Sequence, residues 1–194
     1  MRRFAIALAV ALFAFAAPAE ARVTVTFYSH DSGMYGGDWV FPHAFILVNG
    51  TRDAGGAPVT GNWGFTASNL SIGLLWHPVD GEVTTEQTPD YVSESVRHLS
   101  VSISDAQYDA LMDVVNTWKT DPEPSYDIDN HNCVTFVREL AEAIGLSADD
   151  SSKNIRDPMA FLSDLDTRNA GLANVTLPGT AKPAPMTAGM PGTN

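Results

Sequence analysis

The sequence predicts an α+β domain in which strands occupy the first half of the chain and helices the second. Short runs rich in β-branched and aromatic residues, separated by turn signals, lie between residues 23 and 103. Two segments with apolar residues at helical spacing follow, at residues 104–118 and 133–144. The length of 194 residues fits one domain with short extensions.

The first 21 residues have the three parts of an export signal. Arg2 and Arg3 give a positive start, residues 4–17 form an apolar run, and residues 18–21 end in the small-x-small pattern that signal peptidase recognises. The run is shorter than the ~20 residues of a membrane-spanning helix. We expect a signal peptide that is cut after Ala21 and a periplasmic or secreted protein; an uncleaved anchor is the alternative.

Five segments are predicted to be strands. Residues 23–28 alternate β-branched and aromatic side chains, and residues 43–48 form a short apolar run between Pro42 and an Asn-Gly turn signal. The other candidates are residues 62–66, 74–77 and 96–103. Residues 29–38 are rich in Gly, Ser and Asp, so they are predicted to form a loop.

Three helices are predicted after these strands. Ser104 and Gln107 have the spacing of a capping box at the start of the first helix. The second begins at about Cys133 and is ended by Gly145. The third spans residues 158–165, with a proline in its first turn.

The end of the chain differs in composition from the rest. Residues 171–194 are rich in Pro, Gly, Ala and Thr and have no periodic apolar pattern. Such a segment cannot bury enough apolar surface to offset the entropy of ordering, so we expect a disordered tail. The predicted organisation is a signal peptide, a domain over residues 22–170, and this tail.

The net charge of the chain limits the kinds of molecule that it is expected to bind. The chain has 11 basic and 23 acidic residues and a net charge of −12, spread along its length. Such a surface repels phosphate backbones and anionic membranes, so nucleic acid is not an expected partner. After signal cleavage, no segment predicts a stable membrane span. A peptide or peptidoglycan-type substrate remains compatible with the charge.

Cys133 is the only cysteine, so an exported chain carries no internal disulfide. It follows a polar segment, residues 126–132, and is predicted to lie in the first turn of an amphipathic helix. There the helix dipole and the unpaired N–H groups stabilise a thiolate and lower its pKa. The hypothesis is a nucleophile; a small buried core residue is the alternative.

A cysteine nucleophile needs a base, and His43 is the first candidate. It begins an apolar strand whose next polar residue is Asn49. Together with Cys133 it would form a thiolate–imidazolium pair, and Asn62, or else His77, would orient its ring. A core histidine bonded to a backbone carbonyl is the alternative interpretation of His43.

The remaining histidines are competing candidates. His30, His77 and His98 are alternative bases, although the alternating pattern of its strand predicts that His98 faces solvent. His131 lies two residues before Cys133, among aspartates, which suggests a metal site. A lone His-x-Cys lacks the paired spacing of zinc ligands, so we expect no metal and no cofactor. His131 is instead expected to tune the thiolate or line the cleft.

The order of these motifs resembles the circularly permuted papain-like superfamily, which includes NlpC-related hydrolases. The histidine-led strand at residues 43–46 and the Asn-Trp-Gly-Phe segment at 62–65 precede the Asn-Cys-Val-Thr-Phe-Val motif at 132–137. That motif is similar to the Asn-Cys-Glu-His-Phe-Val of lecithin retinol acyltransferase. The resemblance covers about residues 23–165 and implies an antiparallel sheet with the nucleophile-bearing helix packed on it. Many relatives place a second histidine where this chain has Asn62.

These observations predict an exported thiol hydrolase of the peptidase or amidase type, which would cleave an amide bond in peptide or peptidoglycan stems. Cys133 would form an acyl-enzyme with His43 as base. The backbone N–H of Cys133, assisted by Asn132 or His131, would hold the oxyanion. Two alternatives stay open: an acyltransferase or esterase that acts on lipids with the same pair, and a non-catalytic binding module of the same fold.

Overall fold

The structure is a computed structural model, and it describes residues 23–35, 38–69, 72–85, 88–122 and 125–173. The predicted signal peptide and nearly all of the predicted tail lie outside these ranges, so both stay predictions. Within the described part, no helix is long and apolar enough to cross a bilayer.

Eight strands and four α-helices make up the described part of the chain. The strands are β1 (Val23–His30), β2 (Gly33–Tyr35), β3 (Asp38–Val40), β4 (His43–Thr51), β5 (Pro58–Ala67), β6 (Val79–Thr84), β7 (Val96–Ile103) and β8 (Ser125–Tyr126). The helices are α1 (Pro89–Glu94), α2 (Asp105–Lys119), α3 (Cys133–Ala143) and α4 (Pro158–Arg168). Six strands form one antiparallel sheet in the order β7-β1-β4-β5-β6-β8, and β2 and β3 form a separate hairpin. The expected α+β class is confirmed.

The two faces of this sheet are covered differently. On the helix face, Ala44 and Ile46 of β4 and Phe65 of β5 join α2, α3 and α4 in one buried core. Successive side chains of a strand point to opposite faces. Phe45 accordingly lies on the other side, the far face, where its ring meets Tyr91 of α1 at a centroid distance of 5.7 Å. The face that a side chain occupies therefore decides which partners it can reach.

Most predicted elements are confirmed, with one exception among the strands. The sequence placed a strand at residues 74–77, whereas the structure has a 3-10 helix at Ile72–Leu75 and the strand follows as β6. Leu74 is buried, while Leu75 and Trp76 are both exposed, which is not the alternation of a strand. The predicted loop at residues 29–38 contains the end of β1 and most of the β2–β3 hairpin.

Helix ends follow the predicted signals. Ser104 and Gln107 form a reciprocal capping box at the start of α2. Gly145 follows α3 with a φ of 89°, a left-handed conformation that favours glycine at a helix end.

Residues of α3 pack against β4 and β5, so the helix that carries the cysteine lies on the sheet.

Candidate active site

Cys133 begins α3, and the preceding residue caps the helix. The side-chain oxygen of Asn132 accepts hydrogen bonds from the N–H groups of Val134, at 2.8 Å, and Thr135, at 3.2 Å. The Thr135 hydroxyl accepts the Asn132 N–H in return. This reciprocal cap fixes the first turn and with it the direction of the Cys133 side chain. The thiol is turned inward, and the residue is only 3% exposed.

The environment of the sulfur raises the thiol pKa. Burial is the largest cause. The N–H groups of Ala44, Val134 and Cys133 and the hydroxyl of Tyr126 act in the opposite direction without compensating for it. The Tyr126 hydroxyl donates to Sγ at 3.9 Å, and burial together with the neighbouring Cys133 raises the pKa of this phenol as well. The expected lowering of the Cys133 pKa by the helix N-terminus is therefore wrong: the thiol stays protonated at neutral pH.

The imidazole of His43 lies on the far face of the sheet. It stacks parallel to Phe45, with ring centroids 6.0 Å apart. A Cβ added at Gly64 would overlap its Nε2 and lie 3.0 Å from its Cε1. Phe45 and Gly64 are cross-strand partners, so all three residues share one face. Cys133 packs in the core of the opposite face. The structure does not bring together the thiol and the base that the sequence paired.

The physical reason for this separation is the phase of β4. Ala44, not His43, is the β4 residue on the helix face, and its backbone N–H reaches the sulfur. On the neighbouring strand, Gly64 leaves room for the imidazole on the far face, while Phe65 fills the helix face. A shift of one residue along a strand moves every side chain to the other face. The predicted dyad therefore fails by one residue along β4: Ala44, and not His43, faces the helices.

His43 is a neutral imidazole in this position. Burial, and secondarily the neighbouring His30, lower the pKa of His43 to about 4. Its Nε2 is buried and makes no hydrogen bond within the described part of the chain. The alternative interpretation of His43 as a core histidine fits its burial, because the ring is held by Phe45 and the backbone of Gly64.

The two residues expected to orient the ring lie elsewhere. Asn62 pairs with Leu47 across β4 and β5, which places it on the far face, away from Cys133. His77 is exposed after the 3-10 helix, where its Nδ1 lies 3.4 Å from the carbonyl oxygen of Pro78. Neither residue reaches the helix face at Cys133.

The two residues expected to assist the oxyanion have structural partners. The Asn132 side-chain amide donates to the carbonyl oxygens of Ile128 and Ile155, at 2.7 and 2.9 Å. Since its oxygen caps α3, the whole side chain is occupied in holding loops to the helix. His131 stacks on Trp118 at a centroid distance of 4.0 Å, and its Nδ1–H donates to the Ser125 carbonyl oxygen at 2.6 Å. These contacts contradict the prediction that Asn132 or His131 assists the oxyanion as a donor.

A small pocket of about 50 Å³ lies beside the sulfur. It is mostly apolar, and its lining includes Phe41, Leu74, Tyr126, Ile155 and Pro158. A cavity of this volume has room for a few water molecules, since one water needs roughly 10–15 Å³ of such space.

Two features of the helix face were missed from the sequence. Tyr126 opens the polar segment before Cys133, but the sequence did not predict that its hydroxyl donates a hydrogen bond to Sγ. His98 was expected to face solvent, whereas its Nε2 lies 2.8 Å from the Ser29 hydroxyl beneath α4. A β-bulge in β7 causes this difference, and an alternating sequence pattern does not reveal a bulge.

Comparison of the chain with family models, curated proteins and solved structures gives no match. The papain-like resemblance therefore depends on the sequence motifs described above. Within the described ranges, no three His, Cys, Asp or Glu side chains are grouped so as to hold a metal ion.

Proposed function

We propose that this chain is an exported binding module of papain-like architecture, in which Cys133 is part of the core instead of a nucleophile. Its ligand would be a peptide, such as a peptidoglycan stem, held at the mouth of the pocket beside Cys133. The export signal and the order of motifs in the sequence support the compartment and the architecture. The arrangement around the sulfur supports a binding role over a catalytic one.

The observation that carries this proposal is the identity of the groups that face the sulfur. Ala44 on β4 and Phe65 on β5 are helix-face residues of the two central strands, and neither side chain can accept a proton. The partners of Sγ in the described part of the chain are a tyrosine hydroxyl and backbone N–H groups. A neutral thiol without an adjacent base is a weak nucleophile at pH 7.

The proposed binding surface consists of the exposed apolar side chains near the pocket. Phe41 lines the pocket and is exposed. Leu74 also lines the pocket, and the next two residues, Leu75 and Trp76, are 46% and 72% exposed. Exposed aromatic side chains supply large contact areas for the apolar parts of peptides and sugars.

One observation favours the thiol hydrolase as a second candidate. Cys133 begins a helix and also lines a pocket, which is where a cysteine nucleophile would lie. For this function a base would have to reach the helix face on ligand binding. The lipid acyltransferase has the same requirement, and no residue of the described part distinguishes a lipid from a peptide substrate.

A peptide-binding assay separates the two candidates. We expect a synthetic peptidoglycan stem tetrapeptide to quench tryptophan fluorescence and to be recovered intact by mass spectrometry. Trp76→Ala should weaken binding by at least about tenfold, since exposed aromatic anchors contribute 1–2 kcal/mol or more. Cys133→Ala should bind like the parent. Cleavage by the parent but not by Cys133→Ala would overturn the binding proposal and restore the hydrolase.

Thiol labelling tests the electrostatic part of the proposal. Because burial raises the pKa of Cys133, iodoacetamide should label it slowly, with a midpoint above the ordinary thiol value. The unfolded chain in urea provides the reference for an exposed thiol. A midpoint in the folded protein below that of the unfolded chain would mean that the helix N-terminus overcomes burial, contrary to the proposal.

A further inference from the structure

A second nucleophile–histidine pair lies on the helix face, apart from the sulfur of Cys133. The Ser29 hydroxyl of β1 lies 2.8 Å from Nε2 of His98 on β7. The same hydroxyl lies 3.4 Å from Sδ of Met159, which covers it from α4. Ser29 is only 1% exposed, so this pair is closed in the structure.

A β-bulge creates the pair. The register between β1 and β7 shifts after Thr26, so that one residue of β1 lies opposite two residues of β7, of which His98 is one. Regular alternation would leave His98 on the far face with Ser100, whose hydroxyl bonds Thr26 there at 2.8 Å. The bulge turns the imidazole to the helix face, where Ser29 follows the row of buried β1 side chains.

Helix α4 supplies two further groups to the pair. Met159 and Asp166 are seven residues apart on α4, which places them two turns apart on one side of the helix. Met159 covers Ser29, and the Asp166 carboxylate acts on His98 by opposing the fall in pKa that burial causes.

We propose that Ser29 and His98 form a latent esterase site that opens when Met159 moves. In the reacting tautomer, Nε2 accepts the Ser29 proton while Oγ bonds to the ester carbonyl carbon. The carbon–alkoxide bond then breaks, and His98 returns the proton to the leaving alcohol. Water hydrolyses the acyl-serine with His98 as base, which releases the acid and restores the enzyme.

The surroundings indicate the class of substrate. Met159 is next in sequence to Pro158, which lines the pocket beside Cys133. Apolar core residues of β1 and α4 are the buried neighbours of the pair. These surroundings favour a small ester with a short apolar acyl chain, because a charged acyl chain would be buried without a partner. This site is additional to the proposed binding function and does not depend on it.

Covalent labelling with diisopropyl fluorophosphate tests the site. Attack by Ser29 forms a phosphorus–oxygen bond and expels fluoride, and the adduct is mapped by peptide mass spectrometry. We expect labelling at Ser29, faster labelling in Met159→Ala, and a loss of at least about 100-fold in His98→Gln. Ser100 is the matched control inside the same chain, because it is a buried strand serine bonded to a threonine instead of an imidazole.

Asp166 would act as a positioning residue, and its test is a pH profile. The carboxylate opposes the lowering of the His98 pKa, so Asp166→Asn should move the labelling midpoint to lower pH. An absence of Ser29 adduct in both the parent and Met159→Ala would overturn the proposal. Equal labelling of Ser29 and Ser100 would do the same, since it would show that the imidazole contributes nothing. Stem-peptide binding is measured separately, so failure here leaves that result unaffected.

Discussion

Two histidines of this chain are candidates to activate a nucleophile, and their environments differ. His43 belongs to a regular strand, and its ring lies on the far face, across the sheet from Cys133. His98 belongs to a bulged strand, and its ring meets the Ser29 hydroxyl on the helix face. The sequence suggests the first pair and gives no sign of the second. Strand phase, more than residue type, decides which imidazole can act.

Both side chains are partly buried, but their ring nitrogens differ in hydrogen bonding. His43 has its pKa lowered to about 4, mainly by burial, and its Nε2 makes no hydrogen bond in the described part. Burial also lowers the pKa of His98, but Asp166 opposes this effect, and Nε2 of His98 has the Ser29 hydroxyl as a partner. The comparison predicts that acid destabilises the folded protein mainly by protonating His43.

The largest expected effect is therefore a loss of stability in acid. Because the pKa of His43 is lower in the folded state, its contribution to the free energy of unfolding is complete above the unfolded pKa of 6.5. This contribution is lost as pH falls towards about 4. The loss amounts to at most about 3 kcal/mol. Urea unfolding of the parent and of His43→Leu at several pH values measures it, and the difference between the two curves should grow between these limits.

A matched control isolates the buried site in that experiment. His77 is exposed, so His77→Gln should give the same pH dependence as the parent. A flat difference between the parent and His43→Leu over the whole range would show that the imidazole is solvated when the protein folds. The assignment of His43 to a closed position on the far face would then be wrong.

A glycine on the neighbouring strand provides the next test. A Cβ at Gly64 would overlap the His43 Nε2 and lie 3.2 Å from the Cβ of Phe45, so Gly64→Ala should destabilise the fold by about 1–3 kcal/mol. Adding His43→Ala should recover part of this loss, because the overlapping ring is removed. Gly33→Ala is the control, since a Cβ there meets nothing within 4 Å. Equal effects of the two alanines would contradict the proposed overlap.

The sequence could predict much of the fold because its signals are local. The capping box at Ser104, the glycine at residue 145 and the apolar run of β4 each specify an element through neighbouring residues. The face on which His43 lies depends on which alternate residues of β4 point towards the helices. A run in which nearly every residue is apolar does not indicate which residues these are. Placement of Cys133 at a helix start was confirmed for the same local reason.

The candidate site could not be predicted to the same extent, because its contacts are distant in sequence. The bond between Ser29 and His98 joins residues 69 apart, and the contact of Ser29 with Met159 joins residues 130 apart. The bulge that aims His98 arises from the pairing of β1 with β7, which no single segment encodes. Burial outweighed the helix N-terminus at Cys133 for a similar reason, since the sheet beneath the helix removes solvent from the sulfur.

The smallest expected effect compares the two pairs directly by double-mutant cycles. Ser29→Ala combined with His98→Ala should show a coupling of about 1 kcal/mol, the usual contribution of one hydrogen bond. Cys133→Ala combined with His43→Ala should be additive within about 0.5 kcal/mol, because the two side chains share no contact across the sheet. Urea unfolding of both sets at pH 7 gives these values. A coupling in the second cycle as large as that in the first would mean that thiol and imidazole interact in solution, and the phase assigned to β4 would have to be revised.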